Sequence, residues 1–201
     1  MPVVLKTIRW LTLGVALGLG AAWAVHVWSP RDAAQTVSAS AIGGPFELVD
    51  QTGRTRTQAD LVGKFSLIYF GFTYCPDACP TALLAMAEAL DQLGPPLAAK
   101  IQPVFVSVDP ERDTVAQMAA YIAAVDDRFW GLTGSPEQVA KAAKAYRVYY
   151  RKVTPPGTAE YLVDHTSLVY VMGPNGNYRA HFTHETSPER IAQILRPLLA
   201  D

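Results

Sequence analysis

The chain has 201 residues, half of them hydrophobic, and its 17 basic and 18 acidic side chains leave a net charge of −1. With no basic cluster, that balance argues against nucleic acid as a partner. There is no internal repeat and no low-complexity segment, and the chain beyond residue 43 is one domain's worth, long enough for a proper core.

The first expected element is an apolar run from Trp10 to Trp28. Its 19 residues would make a helix of about 28 Å, close to one hydrocarbon core. Tryptophans at both ends suit the membrane interfaces, where His26 also falls, and Lys6 and Arg9 ahead of the run keep residues 1–9 cytoplasmic. The rival is a cleaved signal peptide. Ala39-Ser40-Ala41 has the small-x-small form but lies too far downstream, and Ala22-Trp23-Ala24 lies inside the run. The expectation is therefore an uncleaved transmembrane anchor at 10–28. A flexible tether follows at 29–42, reaching about 20 Å on average, and then a soluble domain at 43–201. The absence of an Arg-rich, Ser-rich transit segment ahead of Trp10 favours a bacterial inner (cytoplasmic) membrane, single-pass, with that domain on the periplasmic side.

In the domain, Phe46–Val49 and Arg54–Gln58 around Asp50-Gln51-Thr52-Gly53 read as an opening hairpin. Phe65–Phe72 is a continuous apolar run of the kind a central strand shows when both its faces are buried. Leu83, Leu84, Met86, Leu90 and Leu93 then repeat at helical spacing over Thr81–Leu93, and Gly94-Pro95-Pro96 stops the helix. Ile101–Val108 is the next strand, and Asp113 is placed to cap a helix over Thr114–Val125. Phe129–Thr133 is a short strand. Ser135-Pro136-Glu137-Gln138 has the form of a capping box with proline at the first helical position, opening a helix to about Tyr146. Ser167–Met172 and Tyr178–Phe182 flank the turn Gly173-Pro174-Asn175-Gly176, and Ser187-Pro188 opens a last helix to about Leu199.

The only two cysteines, Cys75 and Cys79, stand four apart, after the first central strand and at the start of the first helix. Orphan N–H groups and the positive helix end favour S⁻ over SH there. A structural disulfide is a poor explanation, because a bridge closing so short a loop barely constrains the unfolded chain. The pair reads instead as a redox dithiol or a metal clamp. A closed zinc site wants four N/S ligands, which few histidines supply awkwardly. Cu(I) prefers soft thiolates and accepts low coordination numbers.

Strands alternating with helices and closing on a hairpin plus helix give an α/β class with a mixed sheet. A dithiol after the first central strand makes the thioredoxin-like fold the best match. Where a thioredoxin places its cis-proline, this chain has Asp164-His165-Thr166. That segment faces the dithiol in the fold, so His165 should point at Cys75 and Cys79. His181 and His184 fall at the end of the terminal hairpin and read as surface residues.

With these residues in hand, the chain resembles the Sco/SenC family of membrane-anchored copper proteins. The resemblance runs from Gly43-Gly44-Pro45-Phe46 through the last helix. It rests on Leu67-Ile68-Tyr69-Phe70-Gly71-Phe72-Thr73, Cys75-Pro76-Asp77-Ala78-Cys79-Pro80, Ser107-Val108-Asp109-Pro110-Glu111-Arg112-Asp113, Gly131-Leu132-Thr133-Gly134, Tyr146-Arg147-Val148-Tyr149-Tyr150 and Val163-Asp164-His165-Thr166. Tyr74 departs from the pattern, since many members carry histidine there. The resemblance implies copper held by Cys75, Cys79 and His165, and assistance in assembling the dinuclear copper centre of cytochrome c oxidase subunit II. It implies as partners that subunit, a copper donor protein and a thioredoxin-like reductant, because a dithiol in an oxidising compartment drifts toward disulfide.

Asp164 is a candidate for holding the His165 ring, although strand neighbours ordinarily point apart. Asp77 reads as a helix cap, and Asp109 to Asp113 as shaping the loop beside the site. The competing function is a thiol–disulfide oxidoreductase that reduces the subunit's cysteine pair before metallation, Cys75 and Cys79 serving as nucleophile and resolver. A peroxidase reading of Cys79-Pro80-Thr81 lacks the Pro-x-x-x-Thr-x-x-Cys arrangement.

Overall fold

The computed structural model describes residues 42–200, and the predicted anchor at 10–28 and nearly all of the tether lie outside the described residues. No helix among the described residues is long and apolar enough to cross a membrane.

Two strands buried along their whole length carry the architecture, β3 (Phe65–Gly71) and β4 (Ile101–Ser107). They run parallel in register from Phe65 opposite Ile101 to Gly71 opposite Ser107. Their continuous apolar sequences are what burial on both faces demands. Around them a seven-stranded mixed sheet is built in the order β2-β1-β5-β4-β3-β8-β9. The added strands are β1 (Glu47–Asp50), β2 (Thr55–Thr57), β5 (Trp130–Thr133), β8 (Leu168–Met172) and β9 (Tyr178–Thr183). β5 continues the parallel set, whereas β8 runs antiparallel to β3 and β9 antiparallel to β8. The order β4-β3-β8-β9, with a helix after β3 and another after β9, is the thioredoxin-like core.

The opening hairpin is tied by one carboxylate. Asp50 accepts from the Thr52 and Arg54 amides, the Thr52 hydroxyl and Arg56 Nε. Burial would raise its pKa, but the bonds from Thr52 and Arg56 outweigh that and hold it near 2. Gly53 closes the turn at φ +83°, a left-handed conformation that glycine adopts without strain.

Helix α1 (Ala78–Leu93) starts three residues earlier than its apolar spacing suggests, so Cys79 and Pro80 fall in its first turn. Proline costs no hydrogen bond there, because first-turn N–H groups have no helical partner. Helix α2 spans Val115–Val125, α3 Pro136–Ala145 and α4 Pro188–Ala200, the last packing along α1. The predicted capping box of α3 is present, with the Ser135 hydroxyl accepting from the Gln138 amide and the Gln138 side chain reaching back. The cap of α2 is Thr114, whose hydroxyl accepts from the Gln117 amide. Asp113 is buried and turned the other way, which corrects the expectation that it caps this helix.

A second, two-stranded ribbon has no counterpart in the sequence reading. β6 (Tyr150–Val153) pairs antiparallel with β7 (Leu162–His165), placing Tyr150 opposite His165 and Arg151 opposite Asp164. This ribbon carries the histidine to the dithiol.

Candidate metal centre

Three segments converge: the β3–α1 loop, the first turn of α1 and the end of β7. Cys75 is half-buried and Cys79 fully buried, both as free thiols. The Cys79 amide donates to Cys75 Sγ at 3.4 Å, so the first sulfur satisfies an N–H at the helix start. His165 Nε2 lies 3.6 Å from Cys79 Sγ. The ligating atoms of Cys75, Cys79 and His165 all fall within 4.8 Å of one another, and theirs is the only such cluster of His, Cys, Asp or Glu among the described residues.

The sulfurs differ sharply. A hydrogen bond from the Cys79 thiol pulls the Cys75 pKa down. Burial opposes this, but bonds from His165 and the Asp77 and Cys79 amides bring the value to about 4. Cys79 is pushed well up, first by donating its proton to Cys75, then by burial and by the Cys75 charge. Cys75 is therefore the thiolate from about pH 4 upward, and Cys79 holds the proton that must leave when both sulfurs bind a metal.

The imidazole is oriented from both sides. Nδ1 faces the Thr166 carbonyl at 3.3 Å. Ligation would leave the ring proton on Nδ1 and make Nε2 the donor to the metal, as in metal-ligating histidines generally. The ring stands edge-to-face with Tyr69 and with Phe72, each at 5.9 Å between centroids. Asp164 does not hold the ring. It is exposed and pairs with Arg151 across the ribbon at 3.0 Å, since strand neighbours point to opposite faces.

Two carboxylates lock the loops that present the sulfurs. Asp113 accepts from the Thr73 amide (3.1 Å), the Thr73 hydroxyl (2.7 Å) and the Ser107 hydroxyl (2.6 Å), tying the segment before Cys75 to the end of β4. Asp109 accepts from Arg112 Nε at 2.6 Å and from the Tyr161 hydroxyl at 2.8 Å. The Arg112 guanidinium also bonds the Tyr161 carbonyl at 3.0 Å, and it lies 3.7 Å from the Tyr161 ring centroid and 4.8 Å from that of Tyr74. Arg112 thus spans the cysteine loop and the strand leading to His165. The expectation that Asp109 to Asp113 shape this loop matches that arrangement.

Gly71 was legible only as part of an apolar strand. A Cβ there would lie 2.7 Å from Cys79 Sγ and 2.9 Å from Phe105 Cε2, so its hydrogen makes the room that the sulfur occupies. Glycine inside a strand is the signal for such a close approach. Asp77 stands at the N-cap of α1 without a side-chain capping bond, its carboxylate meeting only the Thr81 hydroxyl at 3.4 Å. His181 is exposed on β9 and hydrogen-bonds through Nδ1 with the Tyr178 hydroxyl; neither it nor His184 joins the cluster.

Chemically, two thiolates and one imidazole make a soft, three-donor set. Among the described residues, no fourth His, Cys, Asp or Glu of the kind that closes a structural zinc site joins the cluster. Three donors of this kind fit an ion that accepts low coordination, and Cu(I) is such an ion.

Comparison with known proteins agrees with this geometry. A protein from Bos taurus, "Protein SCO2 homolog, mitochondrial", is 39% identical over 203 residues, covering 98% of this chain and 76% of its own length. The structure "Bradyrhizobium japonicum ScoI with copper bound" superposes with a TM-score of 0.71 at 44% identity, covering 78% of this chain and 99% of that one. A third structure, of BsSco, described as "a member of the Sco family of cytochrome c oxidase assembly proteins" with a disulfide switch, matches at 25% identity and a TM-score of 0.61, covering 80% and 94%. The family model described as SCO1/SenC matches residues 34–200. A thioredoxin-like domain with a Cys-x-x-x-Cys and histidine cluster, matched over that length, belongs to the SCO1/SenC family.

Proposed function

We propose that the protein is a membrane-anchored copper chaperone that works in cytochrome c oxidase assembly. It binds copper through Cys75, Cys79 and His165 and delivers it to the dinuclear copper centre of subunit II. The observation that carries this reading is the convergence of the three donors within 4.8 Å. Copper is the metal of choice because a 44%-identical relative is described with copper bound. Two sulfurs and one nitrogen leave room for an incoming thiolate to bind before an outgoing one leaves, which suits stepwise transfer. The apolar run at 10–28 is the anchor, holding the domain at the periplasmic face of the inner membrane beside its acceptor. A copper donor and a thioredoxin-like reductant complete the cycle.

A second reading is favoured by the asymmetry of the dithiol. Cys75 is the more accessible sulfur and is charged from about pH 4 upward, whereas Cys79 is buried and protonated. That is the division between an attacking and a resolving cysteine in thiol–disulfide exchange. Reduction of the acceptor's cysteine pair would then precede its metallation.

Loss of the gene separates the two readings. For copper delivery, oxidase activity should fall and be partly restored by copper added to the medium. Restoration by a membrane-permeant dithiol but not by copper would establish the reductase reading instead.

A further inference from the structure

Tyr69 lies on β3 directly behind the cluster, and its side chain is completely buried. Its ring stands edge-to-face with the His165 imidazole at 82° and stacks on Phe105 at 6.5 Å. Its hydroxyl oxygen is buried and has no hydrogen-bond partner. An orphaned buried hydroxyl costs about 1–3 kcal/mol, and phenylalanine would fill the same volume without that cost. A polar atom kept there needs an acceptor that another state of the site supplies.

Cys79 Sγ is that acceptor. It and Tyr69 Cε1 lie 2.7 and 3.1 Å from the one point where a Gly71 Cβ would stand, so sulfur and ring edge are neighbours across the space the glycine leaves open. The other polar side chain on this side, Ser167, directs its hydroxyl to the His165 carbonyl at 3.4 Å. A neutral thiol is a weak acceptor. A thiolate is a strong one, since hydrogen bonds to charged groups are shorter and about twice as strong as neutral ones.

Resting on the ligand set proposed above, we infer that Tyr69 is a positioning residue of the metal centre: its O–H donates to the Cys79 sulfur once that sulfur is a metal-bound thiolate, while its ring holds the His165 imidazole. The bond fixes the direction of the sulfur lone pair left for the metal and draws electron density from it. The fold pays a cost in the metal-free state that metal binding relieves, so the hydroxyl favours loading at the expense of apo stability.

Tyr69→Phe removes only the oxygen, and its two effects have opposite signs. In the full chain in detergent, the reduced metal-free variant should unfold at the same or a higher temperature than the wild type. Its Cu(I) affinity, measured by competition with a chromogenic chelator, should fall about tenfold, the low end for a lost bond to a charged group. The sulfur-to-Cu(II) charge-transfer band should move to lower energy, because an unbonded sulfur pair lies higher. A change in Cu(I) affinity of less than threefold overturns the inference, as does a metal-free variant less stable than the wild type, which would make the hydroxyl a structural group. Failure of the wild type to bind copper would instead defeat the ligand set, so the two failures are distinguishable.

Discussion

Cys75→Ser and Cys79→Ser should each lower Cu(I) affinity by at least about 1,000-fold, a loss of about 4 kcal/mol. The cluster holds only two soft donors, and serine offers a hard, neutral oxygen in place of a thiolate. The two variants separate chemistry from folding. Position 75 is half-buried, two residues ahead of the Asp77 N-cap, and serine keeps an acceptor on the side where the Cys79 amide donates, so Cys75→Ser should keep its unfolding midpoint. Position 79 is fully buried against the Gly71, Phe105 and Tyr69 contacts, so Cys79→Ser should lose some stability as well. His165→Ala should be graded: Cu(I) binds more weakly to the remaining thiolates, and Cu(II), which favours imidazole, suffers more. Isothermal competition with a Cu(I) chelator reads all three. Retention of wild-type affinity by either serine variant would remove the thiolates from the site.

Asp113→Ala should cost about 3 kcal/mol of unfolding free energy, the scale expected when a buried hydrogen-bond hub is broken. All its side-chain partners are donors: the Thr73 amide, the Thr73 hydroxyl and the Ser107 hydroxyl. Deleting the carboxylate leaves them in a dry environment, each costing about 1 kcal/mol or more. The segment carrying Thr73 leads straight to Cys75, so Cu(I) affinity should fall with stability. Glu111→Ala, two residues away, breaks a pair with Lys152 whose members are 64% and 44% exposed. That change should stay under about 0.5 kcal/mol. Urea unfolding of the two variants checks the contrast, and equal effects would show that the Asp113 hub does not organise the cysteine loop.

What could be read from the sequence, and what could not, follows from the range of the interactions. β3 and β4 were legible because burial on both faces writes a continuous apolar run, and α3 because Ser135 and Gln138 satisfy each other within one turn. Cys75, Cys79 and His165 stood out as rare residue types placed where a thioredoxin-like fold brings its loops together. The β6–β7 ribbon was missed because its strands have four residues each and only Val163 among them is buried, so no alternation of burial marks them. Asp113 and Thr114 carry the same local capping signal, and only the distant Thr73 and Ser107 decide which turns inward. Tyr69 reads as one more core aromatic, since an orphaned hydroxyl is a property of its surroundings and leaves no mark in the sequence.

The central claim is that the reduced dithiol, with His165, is the metal site. A disulfide has no thiolate charge with which to ligate copper, and residues four apart at a helix start can close one within the Cα spacing it accepts. The direct test is a Cu(I) titration of the full chain in two preparations, one fully reduced and one with Cys75 and Cys79 oxidised to each other. The reduced chain should take up one copper and the oxidised chain none, with uptake returning on treatment with a dithiol. Equal uptake by the oxidised chain would contradict the assignment, because copper would then be held by something other than these thiolates.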